Sequence, residues 1–304
     1  MVCIEHPSLS ERQRRTTLRQ ECRRATLCFW CIFGLPQVQL VAMRIEVVLV
    51  PSLLPESQPE GLYVLVDVLR TSTTLCTALA YGADAVLPCV TPEEAWELAQ
   101  REPEGTVLLA GEQDGRPIPG FALENSPLEY TGGAVAGKRI AFVSTNGTPL
   151  LRRLPDGERA STIMMGLVNR AAVVEYCHQL KPKAVFICCA GHKGSVAYED
   201  VIGAGALVAE LRQLRSVALT DAAHVAFTAF QRAEPDLLSA VLRCSRHARF
   251  LTLEGKQRDV EYALQLDCLS VVPRWHAGRL YAVGSRSAQG NREVQQPTMP
   301  ECAA

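Results

Sequence analysis

The 304-residue sequence has almost no net charge, −1 at pH 7 from 31 basic and 32 acidic side chains. Without a basic excess it has no electrostatic footprint for a nucleic acid or an anionic membrane surface. Paired cysteines at zinc-site spacing are also missing, because Cys28 and Cys31 form a CxxC that no second pair follows. No GxxxxGK[ST] run is present, which excludes a P-loop, and no GxGxxG follows a strand, which excludes a dinucleotide fold of the usual kind. A cysteine phosphatase would place Arg six positions after its nucleophile. Here Gly194 follows Cys188 at that distance and Ser195 follows Cys189. An aspartyl-phosphate phosphatase would carry DxD, but Asp67 is followed by Val68 and Leu69. Fixed-period repeats and Gly/Ser linkers are absent too, so composition marks no boundary inside the main body.

What is present is enough apolar material, 48% of residues, to bury a substantial core. The 12 cysteines are scattered, and Cys188 and Cys189 sit inside an apolar run. Such cysteines act as small buried hydrophobes, as suits a reducing compartment. Residues 1–42 differ from the rest: six arginines against three glutamates make them +3 and leave −4 for the remainder. An Arg-rich stretch there precedes ATLCFWCIFGLPQVQLVA, the order of an export signal or anchor. Pro36, Gln37 and Gln39 interrupt it short of the roughly 20 apolar residues of a membrane span. We expect a non-core leader over 1–42 with translation starting at Met43, an α/β domain over 43–285, and a polar tail over 286–304. A genuine leader would instead export or anchor an otherwise cytoplasmic protein.

From Met43 onward, apolar runs alternate with helical patterns. Expected strands are 45–50, 63–68, 85–89, 107–110, 139–144, 162–165 and 184–190, with a final pair at 270–273 and 279–283. Unbroken apolar runs are the mark of strands covered on both faces. Helices are expected over 71–81, 92–101, 169–180, 198–214, 221–230, 235–240 and 258–266. Thr91-Pro92-Glu93-Glu94 opens the second of these as a capping box. The pattern predicts a layered α/β/α protein with a largely parallel sheet, or two α/β halves around a cleft.

Ligands of α/β sheets bind beyond the carboxyl ends of strands, and four such turns are unusually polar here. They are Asp67-Val68-Leu69-Arg70 with Thr71, Ser72, Thr73 and Thr74; Gly111-Glu112-Gln113-Asp114-Gly115; Ser144-Thr145-Asn146-Gly147-Thr148; and Gly191-His192-Lys193-Gly194-Ser195 followed by Tyr198-Glu199-Asp200. The hydroxyl runs 71–74 and 145–148, set at helix starts, suit phosphate or sulfonate. The carboxylates Asp67, Glu112, Glu199 and Asp200 suit a hard cation such as Mg²⁺. Arg70 with that cation would offset charge on phosphoryl oxygens. Each feature also has a plainer explanation. Asp67 and the hydroxyls can simply cap a helix, Asn146-Gly147 can be a tight turn, and Glu199 and Asp200 fit a first helical turn anyway. His192 and Lys193 read as solvated loop residues, and Cys188 and Cys189 as core.

Taken together, these residues resemble the 2-phosphosulfolactate phosphatase family, Mg-dependent acid phosphatases of coenzyme M biosynthesis. The matching blocks are VDVLRTSTTL (66–75), AGEQDGRPIPGFALENSPLEY (110–130), GKRIAFVSTNGTPLL (137–151), GLVNRAAV (166–173), ICCAGHKGSVAYEDVIGAGAL (187–207) and SRHARFLTLEGKQRDVEYALQLDCLSVVP (245–273). The resemblance implies hydrolysis of (R)-2-phospho-3-sulfolactate, a small anionic substrate; separately, size alone points to a homodimer, the common assembly of soluble α/β enzymes of this length. It carries functional weight onto Asp67, Arg70, Thr73, Glu112, Asn125, Ser126, Asn146, Gly147, Thr148, Asn169, Gly191, Glu199, Asp200 and Asp259. Ser144, Ala122 and Glu124 depart from the usual pattern. They bear on substrate identity, which leaves a broad-range phosphatase or a non-catalytic anion binder as the alternatives. The nucleophile stays open between water, Asp67 and Cys189.

Overall fold

The computed structural model describes residues 43–103 and 105–284. The expected leader over 1–42 and tail over 286–304 lie outside the described residues. The strands, in chain order, are β1 (Met43–Val48), β2 (Gly61–Val66), β3 (Ala85–Cys89), β4 (Val107–Gln113), β5 (Arg116–Pro117), β6 (Arg139–Val143), β7 (Ala160–Met165), β8 (Ala184–Cys189), β9 (Val217–Leu219), β10 (Pro273–His276) and β11 (Arg279–Ala282). The helices are α1 (Thr71–Ala80), α2 (Pro92–Gln100), α3 (Gly132–Val135), α4 (Gly147–Leu151), α5 (Arg170–Leu180), α6 (Tyr198–Leu214), α7 (Asp221–Ala233), α8 (Leu237–Cys244), α9 (Arg246–Leu253) and α10 (Gln257–Ala263).

All the strands join one sheet in the order β5-β4-β6-β3-β11-β10-β7-β2-β8-β1-β9. Two blocks of parallel strands, β4-β6-β3 and β7-β2-β8-β1-β9, are separated by the β10–β11 hairpin, which is antiparallel to both neighbours. The expected largely parallel sheet is therefore present, and its two blocks are parts of a single sheet.

Alternation along the buried strands explains the layering. Leu62, Val64 and Val66 of β2 face a core shared with α5 to α10, while Tyr63 and Leu65 face a second core containing α1 and α4. Both faces are thus covered by helices, which is why these strands read as continuous apolar runs. Thr91 caps α2 by accepting from Glu94 N–H at 3.2 Å, and Glu94 accepts in turn from Val90 N–H at 2.7 Å. Among the described residues no helix is long and apolar enough to cross a membrane.

The C-terminal part departs from the sequence expectation. The apolar Ser270-Val271-Val272 segment stays outside the ladder, and β10 starts at Pro273. Single bonds tie that segment down instead: Asn169 Nδ2 donates to Val271 O at 2.9 Å and Val283 N to Val272 O at 2.9 Å. Strand β9 has three residues, too few to stand out as a pattern. Helix α9 was not expected; Ser245 caps it, its Oγ accepting from Ala248 N–H at 2.9 Å.

Candidate active site

Both strand blocks contribute to one narrow cleft. Asp67, Arg70 and Thr71 reach it from the end of β2, Glu112 and Asp114 from β4, Thr145 and Asn146 from the end of β6, and His192 and Lys193 from the end of β8. Asn125 and His247 complete the polar lining.

Asp67 is the first residue beyond β2 and is almost fully buried. The hydroxyl and backbone N–H of Thr71, at the start of α1, face its carboxylate. Burial nevertheless raises Asp67 to about 7, aided by the like charges of Glu112 and Glu199. The neighbouring turn approaches very closely. A Cβ on Gly147 would stand 2.7 Å from Asp67 Oδ2, 2.7 Å from Thr71 Cγ2 and 2.8 Å from Thr71 Cβ. Glycine at 147 therefore lets the α4 turn sit directly on the Asp67 turn.

The other hydroxyls of the first motif turn inward. Ser72 Oγ accepts from Asp67 N–H at 2.9 Å, and Thr73 Oγ1 donates to Val68 O at 2.8 Å. Thr74 is buried against the Asn125 carbonyl, at 3.5 Å. These three do not line the cleft; Ser72 and Thr73 fix the backbone that presents Asp67 and Arg70.

Arg70 Nη1 meets Asp259 Oδ2 at 2.6 Å with both side chains nearly inaccessible to solvent, and Ser126 Oγ donates to Asp259 Oδ1 at 2.7 Å. The peptide bond between Leu69 and Arg70 is cis. Asp259 and Ser126 therefore act through Arg70 from behind the cleft wall. Asn125, itself buried, presents an Oδ1 with no hydrogen-bond partner.

The four candidate metal carboxylates differ in what they have left to offer. Asp200 accepts from Val68 N–H at 2.8 Å through Oδ1 and from Gly191 N–H at 2.9 Å through Oδ2. It thereby pins the ends of β2 and β8 together. Burial, with Asp67 and Glu199 nearby, pushes its carboxyl well above the usual range. Glu112 accepts from Thr145 N–H at 2.7 Å, Thr145 Oγ1–H at 2.9 Å and Gly115 N–H at 2.5 Å. Glu199 is buried with its pKa raised by that burial, and its Oε2 has no partner. Neither Glu199 nor Asp200 lines the cleft. Among the described residues no three His, Cys, Asp or Glu side chains stand together as a ready-made metal cage.

Gly191, Thr148 and Asn169 also have positions that are clear from their bonds. Gly191 (φ 66°) serves the Asp200 bond, and Thr148 exchanges hydrogen bonds with Ser144 at 2.9 and 3.0 Å. Asn169 bonds Gly166 N–H and two backbone carbonyls in the interior.

Three cleft residues escaped the sequence reading. His192, taken there as a loop residue, stacks on His247 at 4.4 Å between centroids, and both Nδ1 atoms are buried without partners. Burial, reinforced by His192 and Arg70, drives His247 down to about 3, so both rings face the cleft as neutral imidazoles at pH 7. Lys193 reaches the cleft mouth, where its ammonium meets Asp114 Oδ1 at 2.8 Å and lowers that carboxyl. His247 had no strand-end signal to reveal it, since it sits in the first turn of α9. Cys189 and Cys188 lie in the two cores with thiols pushed up by burial, as the sequence implied.

Residues 48–278 match the family model described as 2-phosphosulpholactate phosphatase. Curated relatives are similar over most of the chain. A "Probable 2-phosphosulfolactate phosphatase" of Symbiobacterium thermophilum is 39% identical over 218 residues, 71% of this chain and 92% of the relative. One of the same name from Deinococcus radiodurans is 39% identical over 231 residues, covering 76% and 92%. Another, from Carboxydothermus hydrogenoformans, is 38% identical over 247 residues, covering 80% and 99%. With the α/β sheet and its strand-end cleft, these matches show that the chain belongs to the 2-phosphosulfolactate phosphatase family.

Proposed function

We propose that this protein hydrolyses the phosphate monoester of (R)-2-phospho-3-sulfolactate, with water as co-substrate and 3-sulfolactate and phosphate as products, assisted by Mg²⁺. On this reading it is a cytoplasmic, homodimeric enzyme of coenzyme M biosynthesis. The observation that carries the reading is the convergence of Asp67, Arg70, Glu112, Thr145 and Asn146 from three strand ends into one cleft of a chain from this family.

A divalent cation fits what the carboxylates leave free. Asp200 and Glu112 have their oxygens engaged by N–H and O–H donors, whereas Asp67 lines the cleft and Glu199 Oε2 is buried without a partner. Mg²⁺ keeps several waters and is held by one or two carboxylates together with substrate phosphate, so no three-residue cage is required. Asp67 is the carboxylate that would hold it in the cleft, with Glu199, which does not line the cleft, the second candidate; bound there, the cation would supply charge neutralisation for the phosphoryl oxygens. The chain does the rest by positioning. Thr71 orients Asp67, Asp200 ties the turns after β2 and β8 together, and Asp259 holds the Arg70 guanidinium in place. Gly147 lets the Thr145-Asn146 turn close on Asp67.

Phosphate release from phosphosulfolactate, measured in Mg²⁺ and in EDTA, tests the reading. Release that stops in EDTA and in Asp67→Asn is expected. Full activity in EDTA removes the cation from the proposal, and unchanged turnover in Asp67→Asn removes that residue. Equal release from unrelated phospho-acids would make the enzyme a broad-range phosphatase.

A further inference from the structure

Two hairpin turns face each other across the cleft mouth. One closes β4 onto β5 through Asp114 and Gly115, at φ 55° and 80°. The other runs from His192 to Ser195, with His192 N–H donating to Ser195 O at 2.9 Å and Ser195 N–H to His192 O at 3.0 Å. Its central residues are Lys193 at φ 50° and Gly194 at φ 76°. Positive φ at both central positions is the type I′ pattern, for which Asp-Gly is a preferred pair. Lys-Gly is not, because a lysine has no side-chain means of easing the left-handed region. A long cationic side chain kept at such a position is a reason to ask what it reaches.

Lys193 Nζ meets Asp114 Oδ1 at 2.8 Å with the two side chains 54% and 64% exposed. An ion pair so open to water is weak and exchanges readily. Arg70, the other Lys or Arg among the cleft residues, is committed to Asp259 in a pair almost closed to solvent. The Lys193 backbone is meanwhile fixed, its N–H donating to Asn146 Oδ1 at 3.0 Å. Of the two cations at the cleft, Lys193 is thus the one free to change partner, on an anchored turn.

We propose that Lys193 recognises the second anionic group of the substrate, a carboxylate or sulfonate, by leaving Asp114 for it. Asp114 holds the ammonium at the mouth in the empty enzyme and competes with the ligand for it. This rests on the phosphatase reading for the position of the phosphate at the Asp67 end.

Calorimetric titration of the full-length protein with 3-sulfolactate tests it in wild type, Asp114→Asn and Lys193→Asn. Asparagine suits both turns, so both variants keep the local fold. Asp114→Asn is expected to bind about two- to fivefold more tightly, since a weak competitor is gone. Lys193→Asn should bind about tenfold or more weakly, the loss of a charge-assisted hydrogen bond, with a melting temperature equal to or above that of wild type. Lys193→Arg should restore part of the affinity. A bridge that merely holds the turns together would make both Asn variants weaker. That result, no change in either, or no sulfolactate binding by the wild type would overturn the proposal. Phosphate release is followed in parallel: opposite shifts in binding without any release would remove the phosphatase reading and leave the role of Lys193 standing.

Discussion

Gly147→Ala is a demanding test of how the cleft is assembled. The added methyl would stand 2.7 Å from Asp67 Oδ2, 2.7 Å from Thr71 Cγ2 and 2.8 Å from Thr71 Cβ. All three distances are well inside van der Waals contact, and Thr71 cannot yield easily. It is β-branched, buried and in the first turn of α1, where its rotamer is restricted. The displacement therefore falls on the Asp67 carboxylate and on the Thr145-Asn146 turn. Overpacking of this kind costs about 1–3 kcal/mol, against which better helix propensity at the start of α4 returns at most about 1 kcal/mol. A domain of this size loses roughly 2–4 °C of melting temperature per kcal/mol, so a fall of up to about 12 °C is expected. Turnover should fall further than stability, by about tenfold to a hundredfold, because sub-ångström misplacement of a reacting group is expensive in rate. Gly133→Ala is the matched control: it is exposed in α3 with nothing within 4 Å of the new methyl. It should leave phosphate release unchanged and melt at or slightly above the wild-type temperature. A Gly147→Ala enzyme as stable and active as wild type, or a control equally damaged, would refute the packing argument.

Two other predictions concern buried charge. Asp259→Asn leaves the Arg70 guanidinium buried without its counter-charge, and urea denaturation should show a loss of about 3–5 kcal/mol; a loss under 1 kcal/mol would mean that solvent reaches Arg70. His247 has its folded pKa near 3, below the usual 6.5, chiefly through burial. The unfolded chain binds its proton first, so this site costs nothing above pH 6.5 and removes about 1.4 kcal/mol of stability per pH unit as pH falls from there towards 3. His247→Gln should flatten that acid limb in pH-dependent unfolding, and an unchanged slope would show that His247 is not the group responsible.

Much of the sheet could be read from the sequence because strands buried on both faces leave continuous apolar runs. Seven such runs became β1, β2, β3, β4, β6, β7 and β8 with ends displaced by no more than three residues. Strand β9 and the Ser270–Val272 segment were harder, since their outcome depends on a partner edge and on single tertiary bonds. At the site, polar residues at strand ends were legible as a class, but their division of labour was not. Spacing cannot say that Ser72 and Thr73 turn back to the chain while Thr71 faces Asp67. Nor can it say that Asp200 spends both oxygens on backbone N–H groups 123 residues apart, those of Val68 and Gly191. His247 comes from a helix remote in sequence, and only the folded chain stacks it on His192.

The β10–β11 hairpin has a consequence for how the protein is made. Among the described residues, the last strands in chain order, β10 and β11, are middle strands of the sheet, between β7 and β3. Until residues 273–282 have emerged, those two strands are open edges, each able to pair with the wrong neighbour. The cleft draws on both strand blocks, so a nascent chain lacking the β10–β11 hairpin has the cleft side chains but not the frame that joins them. Completion of the sheet and completion of the site are the same late event.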